Sequence, residues 1–243
     1  MEKLDVIAFA AHPDDAETAC GGLLAKLVRL GYRVGICDLT HGELASNGTP
    51  AMRAAEAREA ARVLGVHARL GLGLPDGGLR AADAEQERRL VQVLRAHAPR
   101  LIVAPHESAR HPDHVQTSEL VRRAQFWCGV GRYAPDTAAV PRPVLLRGLD
   151  FRPLQPSFVV DISAELETKL RALGCYRSQF ERAAGSTPTL LNDPAWLVRV
   201  ETDARTFGQL IGCAAGEPFQ IDGGVPLTDP VAALAPVREA VRP

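Results

Sequence analysis

Val6-Ile7-Ala8-Phe9-Ala10-Ala11-His12-Pro13-Asp14-Asp15 is the stretch from which the fold can be read. Six consecutive apolar residues without polar alternation describe a strand covered on both faces, and that kind of burial belongs to parallel sheets. Beyond Pro13, the residues Cys20, Leu23, Leu24, Leu27 and Val28 recur at helical spacing and stop at Gly31. A buried strand, a short polar loop and an amphipathic helix in that order open a βα unit.

The alternation continues outward from there. Val34 to Leu39 reads as a second strand, and Thr49-Pro50 as the N-cap and first residue of a helix running to Leu64-Gly65. Arg69 to Leu74 is a weaker third strand, closed by the turn Pro75-Asp76-Gly77-Gly78. A helix over Ala84 to His97 then leads into a strand over Arg100 to Ala104. Repeated βα units require a mostly parallel sheet with helices on both faces. The second half is less regular. Strands are predicted at Val144 to Leu149 and Phe158 to Ile162, helices over Ala164 to Gln179 and Asp193 to Ala214, and extended chain or loop after Glu217. This gives a single domain over residues 1–220, with a tail over 221–243 that packs on it or extends from it.

Composition excludes several classes of protein. With 243 residues, 46% hydrophobic and 23% charged, the chain can bury one large core. A net charge of −1 and the lack of a basic run argue against nucleic acid or an anionic membrane as partner. Five scattered cysteines, odd in number and never spaced Cys-x-x-Cys, fit a reducing compartment. No stretch approaches the roughly 20 apolar residues of a membrane span, and the N-terminus lacks a signal-peptide pattern. A cytoplasmic protein is the expectation.

Chemistry concentrates in two segments that begin alike, His12-Pro13-Asp14-Asp15 and His111-Pro112-Asp113-His114. Each follows a predicted strand and precedes a predicted helix. In an open parallel sheet such loops gather along the carboxyl edge, where ligands bind. Together they bring three of the chain's seven histidines beside three aspartates. A catalytic zinc takes three protein ligands and keeps a fourth position open for water. Two histidines and one carboxylate would suffice, leaving a carboxylate to act as general base and an imidazole to stabilise the oxyanion and protonate the leaving amine. Asp113 could hold His111 in its charged form. Helix capping by Asp14, Asp15 or Asp113 is the plainer alternative, with Glu17 favoured by the helix dipole. A cap needs one residue, however, and does not call for histidines twice. Spacing alone leaves open which histidine and which aspartate bind the metal.

Ala11-His12-Pro13-Asp14-Asp15 and His111-Pro112-Asp113-His114 resemble the two motifs of the PIG-L/LmbE-like zinc deacetylases. The resemblance implies a Rossmann-like three-layer α/β/α fold (the LmbE-like fold) and hydrolysis of N-acetyl groups on glucosamine-containing substrates. It also implies roles by position. His12, Asp15 and His114 match the metal ligands, Asp14 the general base, His111 the acid or oxyanion stabiliser, and Asp113 the residue that tunes His111. One Zn2+ per chain is implied, with Fe2+ or Co2+ compatible with the same ligands, and a homo-oligomer, trimer or hexamer.

Further segments are similar to the branch that acts on N-acetylglucosaminyl-malate in bacillithiol biosynthesis. They are Asp38 to Leu44, Asn47-Gly48-Thr49, Arg53, Glu56-Ala57, Leu74-Pro75-Asp76, Arg110, Cys175 to Phe180 and Gly216 to Phe219. That branch implies a small-molecule substrate with an acidic aglycone. Arg53 stands near a helix start, against the dipole, and a residue placed against local preference is often there for a ligand. Arg110 adjoins the second motif. Arginine grips carboxylates through a two-pronged fork, so Arg53 and Arg110 are the expected anchors. Asn47 could bond sugar hydroxyls, although Asn-Gly is first a turn signal. His41 and His106 are expected to be solvent-exposed loop histidines, and His67 and His97 structural. Rival readings are a deacetylase of a chitooligosaccharide or thiol conjugate, a two-metal phosphoesterase, and a non-catalytic sugar- or nucleotide-binding α/β protein. The phosphoesterase would need a second ligand set, and the binding protein leaves both motifs without a purpose.

Overall fold

The computed structural model describes residues 2–148, 155–225 and 228–229. The first strand, β1 (Val6–Ala10), is buried at every position, as its uninterrupted apolar run requires. Its alternate residues feed two different cores. Val6, Ala8 and Ala10 face one cluster, while Ile7 and Phe9 face the other. Helices α1 (Asp15–Arg29) and α2 (Pro50–Leu64) cover the first face, and α3 (Ala84–His97) and α4 (Pro112–Trp127) cover the second. Thr49 caps α2 through its hydroxyl, with Pro50 as first residue and Gly65 closing the helix in the left-handed conformation.

The strands β2 (Val34–Asp38), β3 (Ala68–Gly71), β4 (Leu101–Pro105), β5 (Val144–Gly148), β6 (Phe158–Asp161) and β7 (Gly216–Ile221) complete one sheet, in the order β3-β2-β1-β4-β5-β7-β6. The first five in that order run parallel, and β7 enters antiparallel between β5 and β6. The chain winds outward from β1 in one direction and from β4 in the other. The switch point of the sheet therefore lies between β1 and β4, where ligands bind in open α/β folds. The loops leaving those two strands carry the two His-Pro-Asp segments.

The second half departs from the sequence reading in three places. The helix expected over Ala164 to Gln179 is two helices, α5 (Leu166–Leu173) and the single turn α6 (Arg177–Phe180), because the chain breaks at Gly174 and turns Tyr176 into the core. The long helix α7 (Ala195–Leu210) is shorter at both ends than expected. The third difference is β7. Its Glu217 is fully enclosed and accepts from the backbone N of Gly22 at 2.8 Å and of Leu23 at 2.7 Å, with Lys169 Nζ 2.6 Å away. Those two N–H groups are exposed by a kink at Cys20 in α1, so Glu217 caps the second half of that helix from across the sheet. Strand β7 runs to Ile221, one residue past the boundary set for the tail, and the expected strand end at Leu149 and most of the tail lie outside the described residues. Among the described residues, no helix is long and apolar enough to cross a membrane.

Candidate metal centre

The loop after β1 turns abruptly at Asp14, which has φ 113°, a left-handed conformation that aspartate rarely adopts. Such strain costs of order 1–3 kcal/mol and persists only where the surroundings enforce it. Arg53 supplies the restraint. It reaches from α2 to bond the Pro13 carbonyl through Nε at 2.9 Å and Asp14 Oδ1 through its terminal nitrogen at 2.9 Å. Gly42 makes room for it, since a Cβ there would collide with the guanidinium. Asp14 stands at the N-cap position of α1, but its side chain makes no capping bond. Its Oδ2 is buried and has no hydrogen-bond partner among the described residues. Burial drives its carboxyl up to about 7, with the Arg53 charge pulling the other way.

Asp15 faces two imidazoles. One oxygen lies 3.3 Å from His12 Nδ1 and the other 3.1 Å from His114 Nε2. Four ligands at about 2.0–2.1 Å around a tetrahedral ion stand about 3.3–3.4 Å apart, close to these two separations, although each involves a different oxygen of Asp15. The three rings of His12, His111 and His114 pack within 4.9–5.6 Å of one another, each placing a ring nitrogen in one small cluster. His12 forms a second cluster with Asp76 and Asp113 on its other side. Burial disfavours charge on His12, but hydrogen bonds to Asp15 and Asp76 outweigh it and push the imidazole up to about 10. A metal bound through this ring would have to displace a proton from it.

The second motif is arranged differently from the expectation. The cap of α4 is the His111 ring, whose Nδ1 accepts from the Asp113 backbone N at 3.2 Å. In the neutral ring the proton then sits on Nε2. The Asp113 carboxylate accepts from Gly77 N at 2.7 Å and lies 3.5 Å from His12 Nε2, both through Oδ2. Burial and the neighbouring His12 and His114 hold His111 below its ordinary value, against the pull of Asp113 and Asp15. The neutral form is favoured, where the sequence suggested a charged one.

The expected substrate contacts separate. Arg110 is exposed beside His111 and forms no ion pair among the described residues. Arg53 is buried and committed to Pro13 and Asp14. Asn47 donates to the Thr187 carbonyl and accepts from the Thr187 N–H, so its amide serves loop structure instead of an open sugar site. His41 is exposed as expected, while His67 accepts from Val34 N and His97 bonds the Glu2 carbonyl, both structural. His106 corrects the expectation of an exposed loop histidine. It is buried, with Nδ1 accepting from Ser108 N and Nε2 donating to Gln220 at 2.7 Å. The Cys175–Phe180 segment is a clamp: Tyr176 donates to Glu17, Ser178 bonds Glu56 and Gln179 donates to the Asn47 carbonyl. Sequence reasoning assigned no role to Asp76, whose Oδ1 lies 3.0 Å from His12 Nε2. Only the quoted Leu74-Pro75-Asp76 likeness pointed to it.

A mostly parallel sheet that gathers His12, His111 and His114 with several aspartates at its switch point is an arrangement that can hold a metal ion and bind a ligand beside it. Comparison with known proteins narrows the class. Residues 7–125 match the family model PIG-L, GlcNAc-PI de-N-acetylase. A diacetylchitobiose deacetylase of Thermococcus kodakarensis is 29% identical over 90% of this chain and 84% of that protein. A 1D-myo-inositol 2-acetamido-2-deoxy-alpha-D-glucopyranoside deacetylase of Mycobacterium sp. (strain KMS) is 30% identical over 75% and 76%. The crystal structure of the conserved protein TT1542 from Thermus thermophilus superposes with a TM-score of 0.85 at 37% identity, covering 93% of this chain and 98% of that one. The chain belongs to the PIG-L family and is an N-deacetylase.

Proposed function

We propose that this chain uses one zinc ion, held by His12, Asp15 and His114, to deacetylate an N-acetylglucosaminide with an acidic aglycone, N-acetylglucosaminyl-malate being the expected substrate. Hydrolysis of the acetamide of an N-acetylglucosamine-containing substrate is the coarser statement, and the family and its relatives support it. The observation that carries the site is Asp15 placed between His12 and His114, one oxygen 3.3 Å and the other 3.1 Å from their ring nitrogens, beside the unpaired Oδ2 of Asp14. A bound zinc supplies Lewis acidity towards the amide carbonyl and lowers the pKa of water from 15.7 towards about 7.

The chain's own groups do the rest. Arg53 fixes Asp14 Oδ1 and so directs Oδ2, which accepts a proton from the attacking water. His111 Nε2–H donates to the carbonyl oxygen as it becomes negative. Asp14 then returns its proton to the sugar nitrogen as the C–N bond breaks, releasing acetate and free amine. Because Asp14 must be ionised to act, kcat/KM should rise with pH. A carboxyl at about 7 without metal can only be lowered by a nearby cation, so half-maximal activity is expected at or below about pH 7. A kcat/KM profile that falls as pH rises from 5 to 7, or a midpoint clearly above pH 7, would refute Asp14 as base.

Arg110 supports the acidic aglycone, as an exposed guanidinium beside His111 that no carboxylate of the described residues occupies. Replacing it by alanine should raise KM for N-acetylglucosaminyl-malate about 10- to 100-fold, the equivalent of a charged hydrogen bond of about 1.5–3 kcal/mol. KM for plain N-acetylglucosamine should hardly move, and equal effects on both would refute the anchor. Arg53→Ala should instead lower kcat for every substrate, because its contact is with Asp14. The second reading, deacetylation of diacetylchitobiose, is favoured by the Thermococcus relative, which matches nearly the whole chain. Acetate release from the malate glycoside, diacetylchitobiose and N-acetylglucosamine, each with and without chelator, separates the two.

A further inference from the structure

Asp76 reaches the site from the turn after β3, outside both motifs. Its Oδ1 lies 3.0 Å from His12 Nε2, its Oδ2 accepts from the Leu44 backbone N at 2.9 Å, and its own N–H donates to Glu43 at 2.8 Å. Both oxygens are committed, the backbone is tied to the loop after β2, and the side chain is 7% exposed. The carboxylate therefore has no freedom to turn away. An ionised carboxylate only accepts, so His12 Nε2 must carry the hydrogen. Asp113 lies farther from the same nitrogen, at 3.5 Å, and its oxygen is engaged by Gly77 N at 2.7 Å. The remaining nitrogen, Nδ1, faces Asp15 at 3.3 Å. In a metal-ligating histidine, the hydrogen bond made by one nitrogen selects the other for the ion.

We infer that Asp76 is a positioning residue for the metal centre, fixing His12 in its Nε2–H form so that the Nδ1 lone pair points at the ion shared with Asp15 and His114. This rests on the ligand set proposed above. It assigns a function to a turn that otherwise reads as a simple Pro-Asp-Gly-Gly connection.

The test is zinc affinity of the full chain by chelator competition, without substrate, for wild type, Asp76→Ala and Asp76→Asn. Alanine should weaken zinc about 10- to 100-fold, the range for losing such a partner, and asparagine should recover part of the loss because its carbonyl still accepts. Nitrogen-15 NMR of the zinc-loaded wild type, which needs no variant to fold, should show His12 protonated on Nε2. Unchanged zinc affinity in both variants with a raised KM would make Asp76 a substrate contact and overturn the inference. So would a His12 ring protonated on Nδ1, or two zinc ions per chain with one lost on substitution. A wild type that takes up no zinc would instead overturn the ligand set itself.

Discussion

Asp14→Ala is expected to lower kcat by about 10²- to 10⁴-fold, the range for removing a positioned acid–base group, while zinc stays bound at one per chain. The basis is the difference between two neighbouring aspartates. Asp15 lies between His12 and His114 and is held well below the usual carboxylate range despite its burial, chiefly by the His114 charge. Asp14 points the other way, towards Arg53, and keeps one oxygen buried and unbonded. Removing Asp14 deletes the proton acceptor and leaves the donors around Asp15 in place. Asp15→Ala should instead abolish zinc binding and activity together. If Asp14→Ala loses the metal, the roles of the two residues are misassigned.

The largest expected effect on stability lies beneath the site. Arg69 on β3 donates to both oxygens of Asp38, at 2.7 and 3.0 Å, and to Glu17 at 2.5 Å, while Tyr176 donates to the same Glu17 oxygen at 2.8 Å. Glu17 and Asp38 are buried, and Glu17 sits two residues beyond Asp15 on α1. Arg69→Met would strand two enclosed carboxylates, and breaking a buried ion pair from one side costs about 3–5 kcal/mol. Urea unfolding of the variant should show a loss of that size. Adding Glu17→Gln should recover part of it, because one stranded charge is removed. A loss below about 1 kcal/mol, the scale of an exposed ion pair, would mean that water reaches the network.

The parallel half of the sheet was legible because burial on both faces leaves an uninterrupted apolar run, as in Val6 to Ala11, and because Thr49-Pro50 and Gly65 punctuate a helix chemically. The two motifs were legible for the same local reason, a density of imidazoles and carboxylates that capping does not need. Strand β7 was not legible. Glu217, Pro218 and Gln220 deny it a strand pattern, yet its described pairing with β5 covers only residues 219–221, so Pro218 is bordered there by β6. What makes Glu217 acceptable inside the protein is the kink of α1, almost 200 residues earlier in the chain. His106 was misjudged for a similar reason, since its partner Gln220 is 114 positions away. Asn47 carried two meanings, a turn signal and a hydrogen-bonding amide, and Thr187 decided between them. Local pattern shows which groups a loop carries. Only tertiary contacts show which of them are already satisfied.

Anomalous diffraction at the zinc edge, on crystals of the full chain grown with one equivalent of zinc, tests the central claim most directly. A single peak is expected among His12 Nδ1, Asp15 and His114 Nε2, with Asp14 outside bonding distance. A peak on the opposite side of His12, between Asp76 and Asp113, or no ordered peak at all, would contradict it.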